Sequence, residues 1–336
     1  MAPWSPVWTG AGNDPNGGGW PEMRAAAPTR SYEEDAAMAE SLVGCGQITW
    51  NQFQRAEPGA WSEERVLGEI ARAGYAGAPA GQRGGRTAAE TVALFAVHGL
   101  RPAPGYMSGA FWEAAEREAL LAEARRQGAF AREAGLDAIY VAAGGFDYVT
   151  RSGRTRRETA GHVGHDDALT TEQYRRFGDT LNEVGAILLA EGVHAAFHNH
   201  VGTPIETQEE IDTLLALTDP ATIFLGPDTG HLAWAGADPV AFCRDYAARI
   251  VTLHLKDVDP AVVARGRDAA WDYRTFTAAG VFAELGEGGV DFPAIFAILR
   301  EAGFAGWLIA ETDVTQRPSA LESATVSRQY LRSQGY

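Results

Sequence analysis

Three short apolar runs in this chain end in residues that can ligate a metal. VHAAFHNH ends in His198 and His200, IFLGPDTGH reaches Asp228 and His231, and IVTLHLKD ends in His254, Lys256 and Asp257. A fourth run, GWLIAETD, carries Glu311. Carboxylates and imidazoles gathered on one axis suit Mn²⁺, Co²⁺, Zn²⁺ or Fe²⁺ better than Ca²⁺. Burying such carboxylates without a cation would be costly. With substrate filling open coordination positions, the pattern is that of a catalytic centre. A chelated ketone acidifies its neighbouring C–H, and a base must take that proton. His200, His231 and Lys256 are the candidate bases. A nearby cation would lower the pKa of Lys256. His198 and His200 stand two apart, so on a strand both face the barrel axis while Asn199 turns away.

The elements needed to bring these residues together are parallel strands. Each apolar run empties its polar residues at its C-terminal end, where a (β/α)8 barrel builds its active site. Strand-like and helix-like segments alternate from residue 42 onward. The first strand is expected at 43–50, followed by a helix with Ser62 as N-cap and Gly74 as its stop. A long helix is expected over 110–135. Thr170 or Thr171 should cap the helix before the fifth strand, and Thr207 the helix after it. An open doubly wound sheet would carry a Gly-rich dinucleotide turn, and GCGQIT is not one. The expected organisation is an N-terminal arm over residues 1–41, rich in Gly, Pro and Trp, and a TIM barrel over 42–336.

Two loops are unusually long. The arginine-rich stretch over 146–170, with His162 and His165, reads as a lid or subunit contact bringing positive charge over the pocket. The other spans about 258–290. Trp50, Phe53, Tyr106, Trp112 and Trp234, on the strand loops, are candidates to stack on a cyclic substrate.

Composition excludes several classes. The 336 residues carry a formal charge of −16, spread along the chain. Such a surface repels phosphate backbones, so no nucleic acid is expected. No run approaches the ~20 apolar residues of a membrane span, and no basic segment precedes an apolar core as in a signal peptide. Cys45 and Cys243 fit no metal or redox spacing. Reduced, buried thiols suit a cytoplasmic protein.

The block HNHVGTPIETQEEI…DTGHLAWAGADP…RIVTLHLKDV…LGEGGVDFPAIF…GWLIAETD resembles the xylose-isomerase-like TIM barrels, the sugar phosphate isomerase/epimerase superfamily. Within that group it is most similar to the inosose (2-keto-myo-inositol) dehydratases. The resemblance implies one divalent metal, manganese first, held by the fifth to eighth strands through His198, Asp228, His254 and Glu311. Much of the superfamily carries glutamate where His198 stands, so either His198 replaces it or His200 takes over; His198 is favoured, with His200 beside the substrate. The implied activity is a lyase reaction on a keto-sugar or keto-cyclitol, by α-proton abstraction and β-elimination. Cleavage of 3-oxo-glycosides is a variant, and isomerisation or epimerisation by the same enolate chemistry is the alternative. An oligomer is expected, with room for a small partner subunit. The second and third strands lack the extra ligands of the three-metal DNA repair endonucleases that share the barrel.

Overall fold

The computed structural model describes residues 43–57 and 59–336. The expected arm over 1–41 lies outside them. Among the described residues, eight parallel strands form the centre: Val43–Cys45, Gly77–Pro79, a third in two pieces (Arg101–Ala103 and Gly105–Gly109), Ala138–Ala143, His194–His198, Ile223–Leu225, Thr252–Leu255 and Trp307–Ala310. The third is split because Pro104 has no N–H to donate to a ladder. Its first piece pairs with the second strand and its second piece with the fourth. Parallel bridges Leu225↔Ile250 and Asp228↔His254 join the sixth strand to the seventh, and the eighth pairs with both the seventh and the first. The ring therefore closes, as expected of a (β/α)8 barrel.

Apart from the third, these strands are largely buried on both faces; all six residues of Ala138–Ala143 are inaccessible. That is why they read as continuous apolar runs. The helices outside start and stop on local signals. Ser62 accepts from Arg65 N–H, and Gly74 ends its helix at φ +90°. Thr170 with Gln173, and Thr207 with Glu210, form capping boxes. The long helix before the fourth strand is shorter than expected, Arg117–Ala134.

Two expectations need correction. The first strand ends at Cys45, and Trp50–Ala56 is a helix. The chain turns out of the barrel at Gly46, where a side chain would collide with Glu311. The excursion after the seventh strand is built rather than loose. It contains the helices Pro260–Asp268 and Tyr273–Ala278, and Phe282–Ala283 pairs antiparallel with Asp257–Val258.

Candidate active site

The fifth, seventh and eighth strands deliver their polar ends into one cavity of about 440 Å³ at the C-terminal mouth of the barrel, and Asp228 after the sixth lies buried beside Lys256. His198, His200, His254, Lys256 and Glu311 line it, with Tyr106, Tyr140, Phe146 and Asp313. Among the described residues, two trios bring ligand atoms within 4.8 Å of one another: His198, Asp228 and His254, and His200, His231 and Asp313. Glu311 Oε2 lies 3.1 Å from His254 Nδ1 and so borders the first trio.

Each of these side chains is fixed from behind. His198 Nδ1 donates to the Gly226 carbonyl at 2.9 Å, leaving Nε2 with its lone pair. His200 Nδ1 does the same to the Val201 carbonyl at 2.8 Å. Tyr140, tied by its hydroxyl to Thr252 Oγ1 at 2.6 Å, sets its ring edge-on to both His198 and His254. Asp228 caps the helix Thr229–Ala235 through His231 N–H, and its Oδ2 turns to Lys256 Nζ. Asn199 clamps the Asp228 backbone from outside, its amide donating to the Asp228 carbonyl and its oxygen accepting the Asp228 N–H. Glu311 has room because Gly46 faces it; a Cβ there would sit 2.1 Å from Oε1.

The electrostatics divide the histidines. Burial, then His254, pushes His198 down to about 3. Burial, then Lys256, pushes His200 down to about 4. Both are neutral bases near pH 7. His231 is likewise lowered, by burial and by its neighbours His200 and Lys256. Burial would also lower His254, but Glu311 and Asp228 outweigh it and raise the group to about 9. Burial opposes charge on Asp228 too, yet Lys256 and His231 hold it well below the usual carboxylate range.

Lys256 is the centre of the cluster. Its Nζ lies 2.8 Å from Asp228 Oδ2, 2.7 Å from Asp313 Oδ1, 3.4 Å from Glu311 Oε2 and 3.2 Å from His231 Nε2. Burial disfavours the ammonium, but the three carboxylates outweigh it and push its pKa well above the ordinary value. The lowering expected from the sequence refers to a bound cation; in the metal-free protein the carboxylates set the direction.

The donor set suits a divalent ion. His198 offers a free Nε2, and His254 Nε2 has no hydrogen-bond partner although it is buried. His254 Nδ1 is near Glu311 but off the hydrogen-bond direction, whereas Asp228 Oδ2 has the Lys256 ammonium beside it as an ion-pair partner. Buried polar atoms are rarely left so.

Other sequence candidates fall elsewhere. Trp50, Trp112 and Trp234 are fully buried in the core, and Trp50 Nε1 donates to Glu69. Phe53 packs against that core, so of the five aromatics only Tyr106 lines the cavity. The arginines of 146–170 are spent on carboxylates. Arg156 is buried against Glu210 and Glu206, Arg154 pairs with Asp167, Arg151 with Asp166 and Arg157 with Asp147. Asp257 of HLKD is structural. Its carboxylate accepts the N–H groups of Val258, Gly286, Gly288 and Val290. Asp313 was missed, although its spacing of two from Glu311 was a usable signal.

The model of the xylose isomerase-like TIM barrel family matches residues 67–334. The chain belongs to that family. It is 31% identical over 290 residues to the rhizopine catabolism protein MocC of Rhizobium meliloti, covering 85% of each chain. It is also 31% identical over 294 residues to an inosose dehydratase of Geobacillus thermodenitrificans, covering 86% of this chain and 96% of that one. Among solved structures, a probable 3-DHS dehydratase from Bacillus anthracis superposes with a TM-score of 0.63 over 86% of this chain and 98% of that one, at 14% identity. That likeness is one of fold. Among the described residues no helix is long and apolar enough to cross a membrane.

Proposed function

We propose that this family member is a metal-dependent lyase that removes water from a keto-cyclitol or keto-sugar, a reaction of the inosose dehydratase type. The observation that carries the reading is the pairing of two ligand-type trios beside Lys256, four of whose six members line the cavity at the barrel mouth. The full-length similarity to an inosose dehydratase supports it.

His198 through Nε2, Asp228, His254 and Glu311 would hold the ion. Manganese fits this mixed N/O set first, with cobalt, zinc and iron as the alternatives. Bound there, the ion supplies a Lewis acid for the substrate ketone. His200 takes the α-proton at Nε2, since its Nδ1–H is already engaged with Val201. Lys256, an ammonium, donates to the departing β-hydroxyl. The C–H and C–O bonds break, a C=C bond forms, and water leaves. His231 and Asp313 hold the Lys256 ammonium in place. Tyr106 and Phe146 wall the cavity on the substrate side. The two free cysteines, both buried, suit a reducing, cytoplasmic setting.

The test is an NMR assay of the Mn²⁺-loaded protein with 2-keto-myo-inositol in D₂O. Appearance of the dehydrated dione is expected. Deuterium uptake at the α-carbon with the substrate retained would replace this reading by an isomerase or epimerase.

A further inference from the structure

Lys256 Nζ sits among four acceptors that are all of metal-ligand type: Asp313 Oδ1, Asp228 Oδ2, His231 Nε2 and Glu311 Oε2, at 2.7 to 3.4 Å. An ammonium has three protons to give, so four acceptors exceed what it can satisfy. A divalent ion does not have that limit, and would draw such atoms in to about 2.0–2.2 Å. The second trio, His200, His231 and Asp313, gathers three ligand atoms as the first trio does, and two of its members, His231 and Asp313, meet Lys256 Nζ. What fills it is a side chain of the protein. The Lys256 stem is threaded to this point by packing: it is 1% exposed, and Gly230 lies against it so closely that a Cβ there would meet Lys256 Cγ at 2.6 Å.

We infer that Lys256 is a built-in cation that occupies a second metal pocket and holds this enzyme to one metal ion per chain. The inference rests on the proposed first metal site and goes beyond it. Charge balance supports the division. Asp228, Glu311 and Asp313 bring three negative charges to the cluster; one divalent ion and one ammonium neutralise them. Two divalent ions beside the ammonium would leave the buried cluster positive, an expensive state in a low-dielectric interior. Without the ammonium, a single divalent ion leaves one carboxylate uncompensated, and the pocket of His200, His231 and Asp313 stands open to a second.

The experiment is a metal count on the purified full-length protein, loaded with excess Mn²⁺ and desalted, with the Mn²⁺ EPR spectrum recorded alongside. Wild type is expected to hold one Mn²⁺ with an isolated-ion spectrum. Lys256→Met is expected to hold two, with the spectrum of a coupled pair. Lys256→Met/Asp313→Asn is expected to return to one. A count of one in Lys256→Met overturns the inference while leaving the first site intact. A coupled pair in wild type overturns it without recourse to any variant, so the test survives a variant that does not fold. A wild-type count of zero defeats the first-site reading, and the gain of one ion in Lys256→Met would then still be the mark of Lys256 as an excluding cation.

Discussion

Gly46→Ala tests whether Glu311 is placed to serve the metal. The added methyl would lie 2.1 Å from Glu311 Oε1 and 2.4 Å from its Cγ. No real Cβ tolerates such contacts, and Gly46 N–H is tied to the Ala310 carbonyl at 2.9 Å, so the backbone resists moving away. Glu311 must swing off its position beside His254. Overpacking of this kind costs about 1–3 kcal/mol of stability. Disturbing a ligand's position typically weakens metal binding about 10–100-fold, or roughly 1.4–2.8 kcal/mol. Isothermal titration with Mn²⁺ and a kcat/KM measurement read both effects. Gly81→Ala is the control, because a Cβ there meets nothing within 4 Å and its φ is ordinary. Retention of wild-type Mn²⁺ affinity in Gly46→Ala, with turnover unchanged, would refute the assignment of Glu311 to the ion.

Further expectations concern protons, the loop and the substrate wall. His254 is protonated at pH 7 in the metal-free protein because its pKa is near 9; a ligating imidazole must be neutral, so Mn²⁺ binding at pH 7 should release about one proton, read from the buffer dependence of the binding enthalpy. His198 and His200 have folded pKa values of about 3 and 4, below the ordinary 6.5. The unfolded chain then binds more protons between pH 4 and 6.5, so stability of the metal-free protein should fall as pH falls through that window; urea midpoints across pH test this, and His200→Gln should flatten the slope. Arg156→Met leaves Glu210 and Glu206 buried without their cation, which should cost about 3–5 kcal/mol and appear as a lowered Tm. Tyr106→Ala should lower kcat/KM about tenfold, in line with ~1.5 kcal/mol for an aromatic contact, with Tm nearly unchanged because the ring is 44% exposed.

The barrel was legible because most of its strands are buried on both faces and the fifth to eighth end in polar residues, a pattern that survives in one dimension. The brief first strand was not, since Gly46 turns the chain for reasons set by Glu311, 265 positions away in the sequence. His198, Asp228, His254 and Glu311 could each be picked as the polar end of an apolar run. Which groups surround Lys256 could not, because three carboxylates reach it from two other strand ends and, in the metal-free protein, raise its pKa. The arginines of 146–170 misled for the same reason: charge is visible in a sequence, whereas Glu210, Asp167 and Asp147 as its partners are visible only in the fold. Asp257 beside Lys256 looked like chemistry and proved to be a clamp for the 286–290 turn.

The central claim is that a single ion at His198, Asp228, His254 and Glu311 runs the elimination. It is tested most directly by stripping the protein with chelator and titrating Mn²⁺ back while following dehydration of 2-keto-myo-inositol. Activity should rise from nothing in proportion to bound Mn²⁺ and saturate at one ion per chain. Undiminished dehydration by the stripped protein, or a fully loaded protein that leaves the substrate untouched, would contradict it.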